Sequence, residues 1–372
     1  NREISDSYLK SNFVNQNFYI DPSGDDGTGN GSMNKPWASL SKACSAVKKP
    51  NSTIIVNKGS YREDNICKLA RGVNIIGAGD ASCIIFITEG NIYGGITLDS
   101  PGSGFSGDQT ISCLKLDGDL KAKVGIGIHY RSNVKITNCT FVDFIDKAIF
   151  YNNSWRSNDE SITATGNEIA YCNIINCSGQ NGIHILGQSD MLIHDNIITQ
   201  TTRKHGLSGV NVFMNNCRKV KYYNNKSFKS DKSNSKMTFH IVSYDSRGGM
   251  EMYDNEFHGV GSHIDIAGRK NSKERFSYSW WIHDNLFMLN NRLQGSEGKS
   301  DGVALEGSNS DVIIENNNFK NLTGGIAIAI DAEYRQCRNI KIRYNIFQDI
   351  GYTNQNWGYF IYMYGLRKSN LI

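Results

Sequence analysis

The chain contains only 4 prolines in 372 residues but 37 glycines, a balance that suits many tight corners rather than a flexible linker. No apolar run approaches the roughly 20 residues that a membrane-spanning helix needs. A phosphate-cradling glycine motif is also missing, as is any Lys/Arg-rich run interleaved with aromatic residues. Neither a membrane span nor a nucleic-acid partner is therefore expected.

Charge and cysteine content restrict the chemistry less sharply. The net charge is +4 and the pI is about 8.4, which is compatible with an acidic partner but does not require one. The 9 cysteines include no C-x-x-C pair, so a zinc site is not favoured. We expect mostly buried thiols, with one or two disulfides.

A short phrase with one asparagine recurs along the chain. It reads MEMYDNEF from Met250, VIIENNNF from residue 312 and IKIRYNIF from Ile340. Aligning such phrases places asparagine at 167, 196, 225, 255, 285, 317 and 345, at intervals of 28 to 32 residues, and Cys139 takes the slot one interval earlier. A period of this length is typical of stacked-repeat proteins.

Each repeat contains three short strand-like segments. The asparagine phrases alternate apolar and polar residues, so that Val312 and Ile314 face the same side. A second segment usually opens on glycine and then alternates Ile or Val with variable residues, as in GIHILG from Gly182. A third follows the asparagine, as in NFKNL from Asn318. With no helical stretch between them, these segments predict an all-β, parallel β-helix with three strands per coil.

The recurring asparagine suits a tight corner between two strands. Asparagine tolerates a left-handed backbone and bonds nearby main-chain groups. Stacked coils would place each amide beneath the next, which predicts an Asn ladder. We expect an N-terminal opening and cap segment over residues 1–70 and one continuous β-helix over residues 71–372.

Residues 17 to 63 follow a different pattern. The segment PWASLSKACSAVKK places Trp37, Leu40, Cys44 and Val47 at helical spacing, and Pro36 suits the first turn. A short amphipathic helix at this point is expected to cover the open end of the solenoid, as a capping helix.

The run YIDPSGDDGTGNGSMNKPWASLSKA, followed by IIVNKGSY, resembles the opening segment of secreted proteins of the pectate-lyase-like superfamily. The Asn-ladder coils resemble the same superfamily over roughly residues 95 to 372. This resemblance implies a right-handed helix, an exported protein (secreted, periplasmic or cell-surface) and action on a polysaccharide. The catalytic patterns of its polygalacturonase-like, pectate-lyase and alginate-lyase members are not found here, so no member's catalytic residues are carried over.

Candidate chemistry lies on outward side chains of the second strand, because packing fills the inward positions of a solenoid. His184, Asn211, His240 and Asp265 are expected at equivalent positions in successive coils, roughly 5 Å apart. Glu306 is displaced by two residues on the next coil, and Asp331 lies further along. Residues beside these strands and one outward tryptophan complete the predicted surface: Arg203, Lys204, His205, Tyr244, Arg247, His263, Arg269 and Trp281.

The leading hypothesis is a lyase that cleaves a uronic-acid polysaccharide by β-elimination. The cation that neutralises the sugar carboxylate would be Arg269, Lys204 or a bound Ca²⁺. The base would be His240, Lys204 or Arg269, and the acid would be Tyr244 or a histidine. Three carboxylates are candidate Ca²⁺ ligands: Asp265, Glu306 and Asp331.

Two other functions remain open. A glycoside hydrolase or transglycosidase would use Asp265 and Glu306 as paired carboxyl groups, with Asp301 or Asp331 in reserve. A non-catalytic carbohydrate-binding solenoid would instead present stacked aromatic residues without paired titratable groups. The substrate is expected to be an anionic polysaccharide, and the sequence does not indicate an oligomeric state.

Overall fold

The computed structural model describes residues 16–88, 94–102, 104–153, 164–177, 181–200, 209–229, 239–259, 262–268, 277–288, 301–322, 326–331, 337–350 and 359–364. These residues form one helix, α1 (Leu40–Ala46), and a long series of strands. The first seventeen strands are β1 (Gln16–Ile20), β2 (Ser52–Val56), β3 (Gly59–Glu63), β4 (Cys67–Lys68), β5 (Asn74–Phe86), β6 (Ile96–Asp99), β7 (Phe105–Asp117), β8 (Val124–His129), β9 (Arg131–Thr137), β10 (Thr140–Val142), β11 (Lys147–Asn152), β12 (Ala164–Thr165), β13 (Glu168–Ala170), β14 (Asn173–Ile175), β15 (Asn181–Leu186), β16 (Gln188–Ser189) and β17 (Leu192–His194). The remaining seventeen are β18 (Ile197–Gln200), β19 (Val210–Asn215), β20 (Lys221–Tyr223), β21 (Lys226–Lys229), β22 (Phe239–Tyr244), β23 (Arg247–Tyr253), β24 (Glu256–Gly259), β25 (Ser262–Gly268), β26 (Ser277–His283), β27 (Leu286–Met288), β28 (Asp301–Gly307), β29 (Asn309–Glu315), β30 (Asn318–Lys320), β31 (Ile326–Asp331), β32 (Arg338–Arg343), β33 (Ile346–Gln348) and β34 (Tyr359–Tyr364).

Nearly all of these strands fall into three parallel rows, which confirms the predicted β-helix. The C row has eleven strands, in the order β4, β6, β8, β11, β15, β19, β22, β25, β28, β31 and β34. The A row runs from β1 and β2 to β9, β13, β17, β20, β23, β26, β29 and β32, and the B row from β3 to β10, β14, β18, β21, β24, β27, β30 and β33. The long strands β5 and β7 bend through the corner between the A and B rows and belong to both.

The Asn ladder lies at the corner between the A and B rows. The side-chain amide nitrogen of each member donates to the side-chain oxygen of the next at 2.9 to 3.1 Å. Its members are Asn196, Asn225, Asn255, Asn285, Asn317 and Asn345. These hydrogen bonds link successive coils, and the ladder satisfies polar groups that would otherwise be buried without partners.

The prediction that Asn167 belongs to this ladder is wrong. Cys172 occupies the slot, because its backbone amide donates to the Asn196 side chain at 2.9 Å. Asn167 lies at the preceding corner, where its side-chain oxygen accepts from the Val134 amide at 2.8 Å and its nitrogen donates to Gln188 at 2.7 Å. A short strand precedes either corner, so the sequence phrase alone does not tell the two corners apart.

The left-handed backbone conformation belongs to the residue before each ladder position, not to the ladder asparagine. Asn224, Asp254, Asp284 and Asn316 have φ values of 52° to 55°. Asp and Asn adopt this conformation with the least strain among residues with a Cβ. The ladder asparagines therefore act through hydrogen bonds alone.

The core is a continuous apolar interior along the solenoid axis. In the B row, Phe257, Phe287, Phe319 and Phe347 stack coil upon coil with ring centroids 4.7 to 5.3 Å apart. All nine cysteines are free and seven of them are buried, so the expected disulfides are absent. Buried thiols here act as small apolar side chains.

Helix α1 covers the N-terminal end as predicted. Trp37, Leu40, Cys44 and Val47 are all buried. The helix begins later than the sequence suggested, with Ser39 as its N-cap, so Pro36 precedes the first turn rather than forming it. Strands on both sides of residue 70 belong to the same rows, and the domain boundary proposed there remains a prediction. Within the part of the chain that the structure describes, no helix is long and apolar enough to cross a membrane.

Candidate functional site

The outward side of the C row, called here the C face, carries the polar and aromatic side chains that the sequence singled out. Strand pairing aligns His184 with Phe213, Phe213 with Val242, and Val242 with Asp265. Alternation along each strand turns the flanking residues inward, as for Ile264 and Ile266, both 0% exposed. Asp265 is therefore on the outward side, as predicted, although it is only 4% exposed.

Aromatic rings cover the N-terminal half of the C face. His129, Phe150, His184, Phe213 and Tyr244 form a continuous row, called here the aromatic row, with successive ring centroids 5.8, 5.1, 4.7 and 5.5 Å apart. Apart from buried His129, these residues are half-buried, so part of each ring faces outward. Aromatic rings of this kind offer apolar faces to a ligand while their polar edges stay available.

His184 is a neutral member of this row. Burial lowers its pKa to about 3, and the nearby charge of Lys147 acts in the same direction. The Asn181 side-chain nitrogen lies 3.0 Å from Nδ1 of His184. Because the Asn181 side-chain nitrogen can only donate, Nδ1 of His184 accepts and the ring proton is on Nε2. His184 can thus donate one hydrogen bond from the C face, but it cannot supply positive charge.

Carboxylates cover the C-terminal half of the C face. Glu306 pairs directly with Asp331 on the next coil, and Asp265 lies one coil earlier, opposite Ala304, two residues from Glu306. The three carboxylates therefore occupy neighbouring outward positions, with Glu306 exposed, Asp331 half-buried and Asp265 buried. Asp301, at the start of Glu306's strand, is 3% exposed and adds a fourth carboxylate.

Asn211, His240 and His263 are not on the C face, and the prediction that they were is wrong. All three are 0% exposed and point into the corner between the B and C rows. The strand bends just before its first inward Ile or Val, so the residue preceding that position also faces the interior. Other coils place glycine or alanine there, and a Cβ on Gly302 would meet the ring of Phe319.

These three residues form a polar cluster inside the solenoid. The Asn211 side chain donates to Ser227 Oγ at 2.7 Å, and Ser227 Oγ lies 2.7 Å from His240 Nδ1. The His240 and His263 rings meet edge to face at 4.9 Å, and His263 stacks against Phe257 and Phe287. Ser227 stands where the next coil has Phe257, and the smaller side chain makes room for the polar group.

Both interior histidines are held neutral. Burial lowers the pKa of His240 well below its ordinary value, and the neighbouring His263 and Lys229 act in the same direction. Burial lowers the pKa of His263 to about 3, while the Gly259 backbone acts in the opposite direction. Neither histidine can serve as a solvent-accessible base.

The remaining predicted residues fall in different places. Tyr244 lies on the C face beside Phe213, and Arg247 follows it around the corner at the start of β23. Trp281 is outward and 42% exposed, as predicted, but it lies on the A row, where it donates to Glu315 at 2.8 Å and stacks on His283. Four predicted residues lie outside the described residues: Arg203, Lys204, His205 and Arg269.

No group of three or more His, Cys, Asp or Glu side chains that could hold a metal ion occurs in the described ranges. The C-face carboxylates thus do not form a ready Ca²⁺ site by themselves. Binding of Ca²⁺ remains a proposal.

Several C-face residues were not among the candidate site residues chosen from the sequence. Phe150, Phe213 and His129 are outward members of the aromatic row, and Lys147 places its ammonium group 5.4 Å from the Phe150 ring centroid. The signal is present in the alternation of KAIFYN and GVNVFM, where an outward phenylalanine follows inward Ile149 or Val212. The candidate set was drawn from polar side chains between His184 and Asp331, so these residues were left out.

No protein-family model matches the chain, and no curated protein matches it. Solved structures do. A tailspike protein mutant of E. coli bacteriophage HK620, in complex with pentasaccharide, superposes with a TM-score of 0.59 at 12% identity, over 95% of this chain and 66% of that one. The GH136 lacto-N-biosidase from Eubacterium ramulus gives 0.55 at 11% identity, over 92% and 68%. DFA-IIIase from Arthrobacter chlorophenolicus, without its lid and in complex with GF2, gives 0.53 at 11% identity, over 94% and 99%.

At these identities the likeness concerns the fold. It confirms the predicted fold, and the chain is a right-handed parallel β-helix. The site must be argued from its own residues, because a shared fold does not carry a shared activity.

Proposed function

We propose that the protein is a carbohydrate-active enzyme that cleaves glycosidic bonds of a polysaccharide on its C face. The observation that carries the proposal is the placement of Asp265, Glu306 and Asp331 on the outward side of successive coils at the end of the aromatic row. Two structures with the same fold support a carbohydrate substrate, because one is a lacto-N-biosidase and the other is a tailspike protein in complex with pentasaccharide.

Two carboxyl groups on either side of a glycosidic bond are sufficient for its hydrolysis. One donates a proton to the leaving oxygen, and the other activates water or attacks the sugar. Asp265 and Glu306 are the proposed pair, because one is buried and the other exposed, so their environments differ as two such roles require. Asp331, directly opposite Glu306, would orient the substrate or the water.

The offset of the pair also suggests the stereochemical course. Asp265 and Glu306 are diagonal neighbours, two residues apart along the strand and one coil apart, whereas Glu306 and Asp331 are directly opposite. A wider separation leaves room for water and gives inversion at the anomeric carbon. We therefore expect inversion, and retention would instead favour Glu306 and Asp331 as the pair.

The aromatic row would hold the sugars that precede the cleaved bond. Its half-buried rings lie along the same outward side as the carboxylates, and one member, His184, offers an Nε2 hydrogen-bond donor. Sugar rings pack their apolar faces against such surfaces while their hydroxyl groups take the donors. Such a substrate would be met outside the cell, which fits an exported protein.

Elimination is the less supported chemistry. Its predicted base His240 lies in the interior, and its other cations, Lys204 and Arg269, are outside the described residues. Tyr244 remains on the C face as a candidate acid. A lyase would leave unsaturated sugar ends that absorb ultraviolet light, so the product itself separates the two reactions.

The test is a turnover assay on pectic, alginate, sulfated and neutral polysaccharides, with and without EDTA. We expect new reducing ends without new ultraviolet absorbance. Asp265→Asn and Glu306→Gln should each lower kcat by about a hundredfold or more, the usual contribution of an acid or base. Asp254→Asn is the matched control, since Asp254 is an exposed corner residue on another side and equivalent corners carry asparagine. Full turnover in both carboxyl variants would refute the assignment, and ultraviolet-absorbing products would establish a lyase.

A further inference from the structure

A basic cleft lies at the N-terminal end of the C face, well away from the carboxylates. Its volume is about 440 Å³, and it is bordered by α1, β4, β6 and the segments that follow them. Lys48, Lys68, Arg71 and Arg131 all contribute to its wall, whereas Asp99 is the only acidic residue among the described residues that line it. Four positive groups thus face one negative group across a single concave surface.

Two of these cations have no ionic partner within the described structure. Lys68 and Arg71 are exposed and enter no ion pair there, while Lys48 donates to the Cys44 carbonyl at 2.6 Å. Arg131 is 3% exposed and is fixed from behind by Ser100 and Gln109. Burial lowers the pKa of Arg131 to about 10 against the opposing effect of Asp99, and the charge of Arg71 adds to the lowering, because the two guanidinium groups repel each other. An oxyanion in the cleft would relieve that repulsion.

A buried hydroxyl group also lines the cleft without a partner. Thr97 is 3% exposed, and its Oγ1 makes no hydrogen bond within the described structure. Thr97 pairs with Lys68 on one side and Gly127 on the other, all three on the outward side of the C row. A buried hydroxyl without a partner costs free energy, and a ligand oxygen would satisfy it.

The rest of the cleft suits a sugar ring. Phe105, Leu69 and Pro101 supply an apolar wall, and Arg71 lies over the Phe105 ring at 5.8 Å from its centroid. On its other side, Asp99 lies 3.9 Å from Nε2 of His129, where the aromatic row begins. The cleft and the carboxylates are therefore the two ends of one surface, from β6 to β28, roughly 34 Å long at the spacing of stacked strands.

We propose that this cleft binds an anionic substituent, a carboxylate or a sulfate, on a saccharide unit of the polysaccharide that lies along the C face. Lys68 and Arg71 provide the charge, Thr97 provides a hydrogen bond, and Phe105 supports the ring. The inference rests on the proposed function, because it names the class of substrate for the same surface. It places the anionic unit many sugars away from the cleaved bond, so the cleft acts on binding and not on the reacting atoms.

Direct binding measurements test the proposal without turnover. Calorimetry in the Glu306→Gln background would use oligogalacturonate and its methyl ester, and dextran sulfate oligosaccharide and its unsulfated counterpart. At least one charged probe should bind about tenfold or more tightly than its neutral counterpart, and salt should weaken that binding. Whichever charged probe binds tells carboxylate from sulfate.

Substitutions then locate the binding. The double variant Lys68→Gln/Arg71→Gln should weaken the charged probe about tenfold or more. The double variant Lys49→Gln/Arg62→Gln removes the same charge from exposed positions outside the cleft and should change affinity less than about twofold. Thr97→Val keeps the side-chain shape and loses no existing hydrogen bond, so it should fold normally and bind severalfold more weakly.

Three results would overturn the proposal: charged probes that bind no better than neutral ones, equal losses in the two double variants, or unchanged affinity in Thr97→Val. The outcome is separable from that of the proposed function. If no cleavage is found, the binding result still stands. If cleavage is found but binding does not depend on Lys68 and Arg71, only the proposal for the cleft is overturned.

Discussion

Mild acid should destabilise the fold through its interior histidines, and His263→Phe should remove part of that sensitivity. His263 is 0% exposed, stacks between Phe257 and Phe287, and has no hydrogen bond of normal geometry from either ring nitrogen to the described residues. Phenylalanine has a similar shape and continues the aromatic stack. It removes the titrating nitrogens while breaking no hydrogen bond.

The sign follows from where the proton binds. In the unfolded chain His263 has its ordinary pKa of 6.5, and in the folded chain burial lowers it to about 3. Above pH 6.5 neither state binds the proton, so this histidine adds no pH dependence to the stability there. Between the two pKa values only the unfolded state is protonated, and stability falls as the pH falls.

The size of the effect follows from the same two values. At about pH 4.5, roughly two units below the ordinary pKa, protonation of the histidine stabilises the unfolded state by about 2 to 3 kcal/mol. Protonation stabilises the folded state almost not at all, because its pKa of about 3 is still lower than this pH. The pKa of His240 is lowered in the same direction and adds to the loss.

Urea unfolding at about pH 7.5 and about pH 4.5 measures the difference. The free energy of unfolding should fall about 2 to 3 kcal/mol less in His263→Phe than in the natural chain, because carboxylate contributions cancel between the two proteins. His258→Phe is the control, since His258 is only half-buried and its ring lies 3.0 Å from Glu256 rather than in the interior. Equal losses in the natural chain and His263→Phe would refute the burial of a neutral histidine and with it the corrected strand register.

Three further outcomes are expected. Asn255→Ala should cost about 3 kcal/mol or more in urea unfolding, because it leaves the Asn225 backbone N–H and other ladder groups buried without partners; a loss below about 1 kcal/mol would contradict the ladder. Phe213→Ala should raise KM about tenfold with kcat nearly unchanged, whereas an equal fall in kcat would place Phe213 at the reacting bond. In thiol titration, the folded protein should expose at most Cys83 and Cys113, and denaturant should expose all nine cysteines; more than two fast-reacting thiols without denaturant would show that the core is loose.

The period and the rows of strands could be predicted from sequence because one side of every strand is packed against the core. Val312 and Ile314 are both 0% exposed, and their alternation is visible in the sequence without any partner strand. The ladder from Asn196 to Asn345 could be predicted for a related reason, since each member occupies the same corner of its coil.

The register of the C row could not be predicted from the opening glycine. Aligning Gly209 with Gly182 places Asn211 beside His184, whereas the structure pairs His184 with Phe213. Gly182 lies at the inward bend of its coil, whereas Gly209 lies two residues before the bend of the next coil. A two-residue shift keeps the alternation of apolar residues intact, so the apolar pattern could not reveal the error.

Alternation also fails at the bend itself. His240 and Val242 are two residues apart and should share a side, yet His240 points inward and Val242 lies on the C face. Two consecutive inward residues, His240 and Ile241, occur where the backbone turns into the C row. Only a coil-by-coil comparison of small residues at that position, such as Gly302 and Ala327, could have revealed the bend.

The same strand carries both the proposed chemistry and the acid sensitivity of the fold. His263 faces the interior and Asp265 faces the C face, with Ile264 between them as part of the core. A carboxyl pair needs one member protonated, and that condition favours mildly acidic solution. The buried histidines oppose it, because protonation costs stability below their unfolded pKa of 6.5. The lower limit of the working pH range is therefore expected to come from the interior of the solenoid rather than from the ionisation of Asp265 and Glu306.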